Sequence, residues 1–154
     1  MSQIIYYIIN NMNKLRAHQN FLGFTLEELN KLIKVCTEKK VNKNEIVFRE
    51  NETGNSLYMV ADGNVKISKL GYLGEVILTH ANPGEIIGEM ALINGSVRSA
   101  TAIAITDSVL FELNRSSLEF LKNEYPTVAI KFLEILLKIL SERLFQTTRK
   151  ILRK

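Results

Sequence analysis

The chain has 154 residues, 46% of them apolar, with 20 basic and 16 acidic side chains and a net charge of +4. That is enough apolar material for one domain with its own core, and too diffuse a charge to require a nucleic-acid partner. The lone Cys36 excludes an internal disulfide and fits a reducing compartment, and no window approaches the ~20 uncharged apolar residues that span a bilayer.

The N-terminal run from Ile4 to Ile9 is apolar but lacks a preceding basic region and a small-residue cleavage site. It is read as part of a soluble, cytoplasmic protein with no membrane contact. Phe21 and Phe24 precede Thr25-Leu26-Glu27-Glu28, a capping box that predicts a helix to about Cys36. Leu29, Leu32, Ile33 and Cys36 share one face of it, which makes Cys36 a small core residue rather than a reactive thiol. From about Val41 the apolar period becomes two. The runs 46–48, 57–60, 65–67, 76–78 and 108–111 alternate between Asn, Gly, Asp and Pro punctuation, the pattern of a β roll or barrel.

The stretch from Ile87 to Ala102 sets two charges, Glu89 and Arg98, among apolar neighbours. A buried charge needs a partner or a ligand. Either the two form an ion pair or a ligand satisfies both. A nucleoside cyclic monophosphate would do so, with Glu89 accepting from a ribose hydroxyl and Arg98 forking onto the phosphate. Gly88 permits close backbone approach, and the turn Glu89 to Ile93 turns its first amides toward an anion. Thr79, on the strand leading to this stretch, faces the base, and His80 by alternation faces away.

Gly88-Glu89-Met90-Ala91-Leu92, the loop Asn94 to Val97, and Arg98-Ser99-Ala100 resemble the phosphate-binding cassette of cyclic-nucleotide-binding domains. Phe21 to Cys36 is similar to the family's entry helix, Asn51 to Gly63 to its hairpin, and Pro83-Gly84-Glu85 to the turn before the cassette. The resemblance covers Phe21 to Ile151. Asn51 replaces the hairpin's usual glycine, and Val97 stands where many members have proline. The fold it implies is α+β: mainly a β roll or jelly roll (double-stranded β-helix), flanked by an N-terminal helix and a long C-terminal helix. The expected division is a helical extension over 1–20, a cyclic-nucleotide-binding roll over 21–125 and a C-terminal lid and dimerisation helix over 126–154.

Beyond the roll, Ser116 to Glu119 reads as a second capping box, and Pro126 suits the first turn of a long helix. Ile130, Leu133, Leu137, Leu140, Leu144 and Ile151 recur at spacings of three and four, a seam for a partner helix and hence a parallel two-fold dimer. Phe132, Leu136 and Phe145 remain to cover the roll. The segment Glu142 to Lys150 resembles the matching helix of catabolite-activator-like regulators, in which a Thr-Ser pair reaches the adenine of cyclic AMP. Thr147 and Thr148 match that pair, one hydroxyl for its own pocket and the next for the partner's. Such regulators continue into a DNA-reading helix-turn-helix. Here none follows, so no DNA contact is expected, and Arg143, Arg149, Lys150, Arg153 and Lys154 read as a solvated basic end.

An enzyme fits poorly. His18 and His80 lie on different elements, too few for a cupin-type metal site, and no nucleophile stands beside a base. Binding without turnover remains, with no cofactor or metal. With Thr79 from its strand position and the rest from the resemblance, the expected ligand site is Thr79, Gly88, Glu89, Met90, Ala91, Arg98, Ser99, Ala100, Thr147 and Thr148. The expected ligand is cyclic AMP in preference to cyclic GMP. The expected function is that of a stand-alone receptor signalling to an unidentified effector protein through its C-terminal helix. A sensor half of a transcription regulator and a ligand-free scaffold are the alternatives.

Overall fold

Helix α1 (Gln3–Ala17) leads through a 3-10 turn (Gln19–Phe21) into α2 (Leu26–Lys34). Then come β1 (Thr37–Val41), β2 (Ile46–Phe48), β3 (Ser56–Asp62), β4 (Val65–Gly71), β5 (Gly74–Ala81), β6 (Ile86–Ile87), the short α3 (Glu89–Asn94), β7 (Thr101–Ala104) and β8 (Ser108–Asn114). Helices α4 (Arg115–Glu124) and α5 (Pro126–Leu152) complete the order. The structure, a computed structural model, describes residues 3–152. Arg153 and Lys154 of the expected basic end, and the side chains of Ile4 and Ile5, lie outside the described residues.

The strands form two antiparallel sheets, ordered β1-β8-β3-β6 and β2-β7-β4-β5. This is the α+β roll expected from the sequence, with helices at the N-terminal side and a long C-terminal helix. β3 sits second from one edge and is buried on both faces, so its apolar residues run without a break. Leu57, Met59 and Ala61 face the helices, where they join Leu15, Phe21, Leu29, Leu32, Leu121, Phe132 and Leu136. Tyr58 and Val60 face into the roll with Phe48, Val65, Ile87, Ala102 and Leu110. One strand thus carries two cores. β8 does the same, pairing Phe111 with Met59 in register.

The capping box at Thr25 forms: Glu28 N–H donates to Thr25 Oγ1 at 3.1 Å and Thr25 N–H to Glu28 Oε2 at 2.9 Å. The helix ends at Lys34. Cys36, just past it, donates its thiol to the Leu32 carbonyl, and burial pushes its pKa up to about 12. The second box expected at Ser116–Glu119 does not form. Asn114 caps α4 instead, accepting from Ser117 N–H at 2.8 Å, because the strand runs on until an Asx side chain can turn it. Phe132 and Leu136 of α5 bury against the roll, as expected, whereas Phe145 stays 59% exposed. Of the seam, Leu133 and Leu140 are half-buried, while Ile130, Leu137, Leu144 and Ile151 are open to solvent.

Candidate functional site

Glu89 opens α3 immediately after Gly88, whose φ of 75° lies where a side chain would be strained. That turn leaves the Glu89 carboxylate 1% exposed. Nine residues on, Arg98 is 5% exposed, held between β3, α3 and the ring of Phe48. Its Nη1 donates to the Ser56 carbonyl at 2.5 Å and the Gly88 carbonyl at 3.1 Å, and its Nη2 to Ser56 Oγ at 3.0 Å. The guanidinium carbon stands 4.4 Å from the Phe48 ring centre and 5.7 Å from that of Tyr58. Ser56 passes the contact on. Its hydroxyl donates to Glu112 Oε1 at 2.7 Å, which also accepts from Tyr58 OH at 2.9 Å.

Glycines make this seat. A Cβ built on Gly54 would stand 2.5 Å from Arg98 Nε, and one on Gly88 2.6 Å from Nη1. Asn51, in the expected glycine position of the hairpin, takes φ 67° and donates its N–H to the Arg98 carbonyl at 2.9 Å. Burial draws the Arg98 pKa down from its ordinary value, with Tyr58 and Glu112 acting against that, and burial pushes the Tyr58 phenol up.

Glu89 and Arg98 do not pair with each other. The partner of Glu89 is Arg143, reaching from α5 to its Oε1 and at 3.2 Å to the Ile86 carbonyl. Arg143, read as part of a solvated basic end, is therefore a site residue. Arg143 lies four residues before Thr147 and so on the same face of α5, the face that lines the cavity. The other Glu89 oxygen, Oε2, is buried without a hydrogen-bond partner among the described residues. On Arg98, three of the five N–H groups of a guanidinium are engaged. Nε–H and one Nη2 N–H remain without a protein acceptor among the described residues.

Both groups face one cavity of about 960 Å³ between the roll and α5. Thr79, Gly88, Glu89, Met90, Ala91, Arg98, Ser99, Ala100 and Thr147 all line it. Thr148 does not: one residue further round the helix, it is turned out of this cavity, and its hydroxyl donates to the Leu144 carbonyl at 3.0 Å. Thr147 likewise donates back, to Arg143 O at 2.9 Å. His80 contacts Asn64 through Nδ1, away from the cavity that Thr79 lines. Ile67, Val76, Ile77 and Leu78 give the opposite wall an apolar surface, while Glu142, Gln146 and Lys150 line the α5 side. Of the turn Met90 to Ile93, Leu92 is buried, while Met90 and Ile93 are 43% and 42% exposed. No group of three or more His, Cys, Asp or Glu gathers to hold a metal among the described residues, and no helix there is long and apolar enough to cross a membrane.

A two-sheet roll with a buried cation, a buried carboxylate and a helix over the cavity defines a regulatory ligand-binding domain. The sequence over residues 38–125 matches the family described as Cyclic nucleotide-binding domain. The chain belongs to the cyclic nucleotide-binding domain family, a binding rather than a catalytic one. It is similar to the Cyclic AMP receptor protein of Thermus thermophilus, 31% identical over 123 residues that cover 79% of this chain and 57% of that protein. It also resembles the cAMP-dependent protein kinase regulatory subunit of Blastocladiella emersonii, 35% identical over 62% of this chain and 25% of that one. The chain thus spans about half or less of the relatives' length. Among solved structures, a cyclic nucleotide-binding domain from Methylobacillus flagellatus superposes with a TM-score of 0.81 at 26% identity, over 96% of this chain and 83% of that one.

Proposed function

We propose that the chain is a receptor module for cyclic AMP that signals to a partner protein through α5. The observation that carries this reading is that two buried, complementary groups face one cavity: an arginine with an unspent fork edge, and a carboxylate oxygen without a donor. A cyclic nucleotide carries both an anionic phosphate and a ribose hydroxyl. Arg98 takes the phosphate and Glu89 Oε2 takes the 2′-OH, so neither buried charge is left uncompensated. The apolar wall at Val76 to Leu78 and the Thr147 side of α5 leave a slot for the base.

In this reading the roll over 21–125 is the receptor, 1–20 an N-terminal extension, and 126–154 both lid and dimerisation helix. Arg143 gives α5 a direct hold on the Glu89 carboxylate, which makes the helix position sensitive to what Glu89 binds. The experiment is a calorimetric titration with cyclic AMP of the parent and of Arg98→Ala. Saturable 1:1 binding per chain that weakens at least tenfold in the variant is the expected result; no heat in the parent at millimolar nucleotide would overturn the reading. A second reading, the sensor part of a transcription regulator, is favoured by the similarity to the CRP-like cAMP-activated global transcriptional regulator of Mycobacterium tuberculosis, 30% identical over 68% of this chain and 46% of that protein.

A further inference from the structure

Arg115 is the first residue of α4, and both its backbone and its side chain reach the ligand site from outside the cavity. Its N–H donates to the Asn55 carbonyl at 3.0 Å, one residue before the Ser56 that holds Arg98. Its Nη2 donates to the carbonyls of Leu92 at 2.8 Å and Ile93 at 2.9 Å. Those carbonyls belong to the last turn of α3. The helix is six residues long and is capped by Gly95, which turns left-handed at φ 61° and donates its N–H to Ala91 alone. The arginine supplies the donors that the helix itself no longer can, and places a cation at its negative end.

The wiring has a consequence for signalling. Glu89 stands at one end of α3 and the Arg115 contact at the other, so any tilt of α3 on ligand binding moves the acceptors that Arg115 holds. Helix α4 cannot follow alone: Leu118 and Leu121 are buried in one cluster with Val128, Phe132 and Leu136 of α5. We propose that Arg115 is a positioning residue that couples occupancy of the nucleotide cavity to the placement of α4 and α5. It does not line the cavity, and so acts on the response rather than on the contact. This inference rests on the cyclic-nucleotide reading of the site.

The test is hydrogen exchange on the parent, Arg115→Ala and Arg115→Lys, each with and without saturating cyclic AMP, alongside an affinity titration. The expected result for Arg115→Ala is an affinity within about threefold of the parent. Ligand-induced protection in this variant is confined to residues 86–100 and lost over 126–150, and Arg115→Lys restores part of it. Protection of 126–150 in Arg115→Ala equal to the parent's would overturn the coupling. Should the parent bind no cyclic nucleotide, it is the site reading that falls, and the coupling is read without ligand. Arg98→Ala then serves as the perturbation, expected to change exchange over 115–121 when Arg115 is present and not in Arg115→Ala. Equal changes in both backgrounds overturn it.

Discussion

Arg143 of α5 donates to the carboxylate of Glu89, so the helix over the cavity holds the residue that opens the cassette. Glu89 is 1% exposed, while the Arg143 side chain keeps half its surface in solvent. A pair so placed is asymmetric. Removing the cation strands a buried carboxylate, whereas removing the carboxylate returns an arginine to water.

That asymmetry sets the first prediction. Arg143→Ala lowers the thermal midpoint more than Glu89→Gln does, and the two effects do not add. A double-mutant cycle by chemical denaturation gives a coupling of about 0.5–3 kcal/mol. Additivity within experimental error would show that the contact does not contribute to the fold.

The seat of Arg98 gives the second. A methyl at position 54 meets Nε at 2.5 Å, and the backbone around it is tied to Ser96 through the Gly54 N–H. Gly54→Ala therefore displaces the guanidinium and weakens cyclic AMP binding at least tenfold, as Arg98→Ala does through the loss of a charge-assisted contact worth about 1.5–3 kcal/mol. Gly23→Ala is the control, because a Cβ there meets nothing within 4 Å. Calorimetry in which Gly54→Ala binds like the control would mean that Arg98 does not hold the ligand.

Much of this site was legible in the sequence, and the parts that were not share a physical cause. Glu89 and Arg98 stood out because charge among apolar neighbours is costly. Ser56, Tyr58 and Glu112 did not, since a serine and a tyrosine in an apolar strand read as ordinary core, and their link to Arg98 exists only once β3 and β8 pair. Period-two alternation places Ser56 and Tyr58 on one face, but not which face the arginine meets. Arg143 looked like one more exposed cation on a basic helix end. The strand β1 begins earlier than the expected onset near Val41, because Thr37 to Lys40 carry no alternation and are strand only by pairing with β8.

A third prediction concerns pH. Lys131 of α5 contacts both oxygens of Glu28, at 2.8 and 2.9 Å, and also the Gly23 carbonyl, fastening α5 to the start of α2. The Lys131 bond, followed by the Thr25 backbone N–H, holds Glu28 below the ordinary glutamate value. A carboxylate whose pKa is depressed on folding stabilises above its unfolded value, and that stabilisation is lost as pH falls through the folded one. The parent therefore loses stability on acidification through and below the normal glutamate range. Glu28→Gln loses less over the same window, as thermal melts across the acid range will report.

Base choice is the fourth. In the family, members that prefer cyclic GMP often carry threonine beside the phosphate-binding arginine; here Ser99 stands there, and Thr147 lines the cavity from α5. The expected preference is for cyclic AMP by about tenfold, or 1.4 kcal/mol. Thr147→Val narrows that ratio by removing the hydroxyl while keeping the shape. Equal affinities in a competition titration of the parent would show that α5 does not read the base.

The last prediction follows from what α5 leaves uncovered. Leu137 and Leu144 are 67% and 69% exposed, one heptad apart, with Ile130 and Ile151 a further heptad out on either side. Leu133 and Leu140 lie between them, half-buried at the edge of the roll, so a second copy of the helix laid parallel would close an a/d seam and cover all six. Thr148, turned out of its own cavity, then lies on the outer face of the helix, the direction from which a second protomer approaches. Because Arg143 shares this stretch of helix and grips Glu89, ligand that reorders Glu89 also fixes the angle at which the seam is offered. Sedimentation equilibrium is expected to give a dimer that Leu137→Lys/Leu144→Lys converts to a monomer, with cyclic AMP tightening the parent's dimer by about 1–3 kcal/mol of coupling. A parent that sediments as a monomer with and without cyclic AMP would leave α5 a lid alone, its exposed leucines without a partner helix.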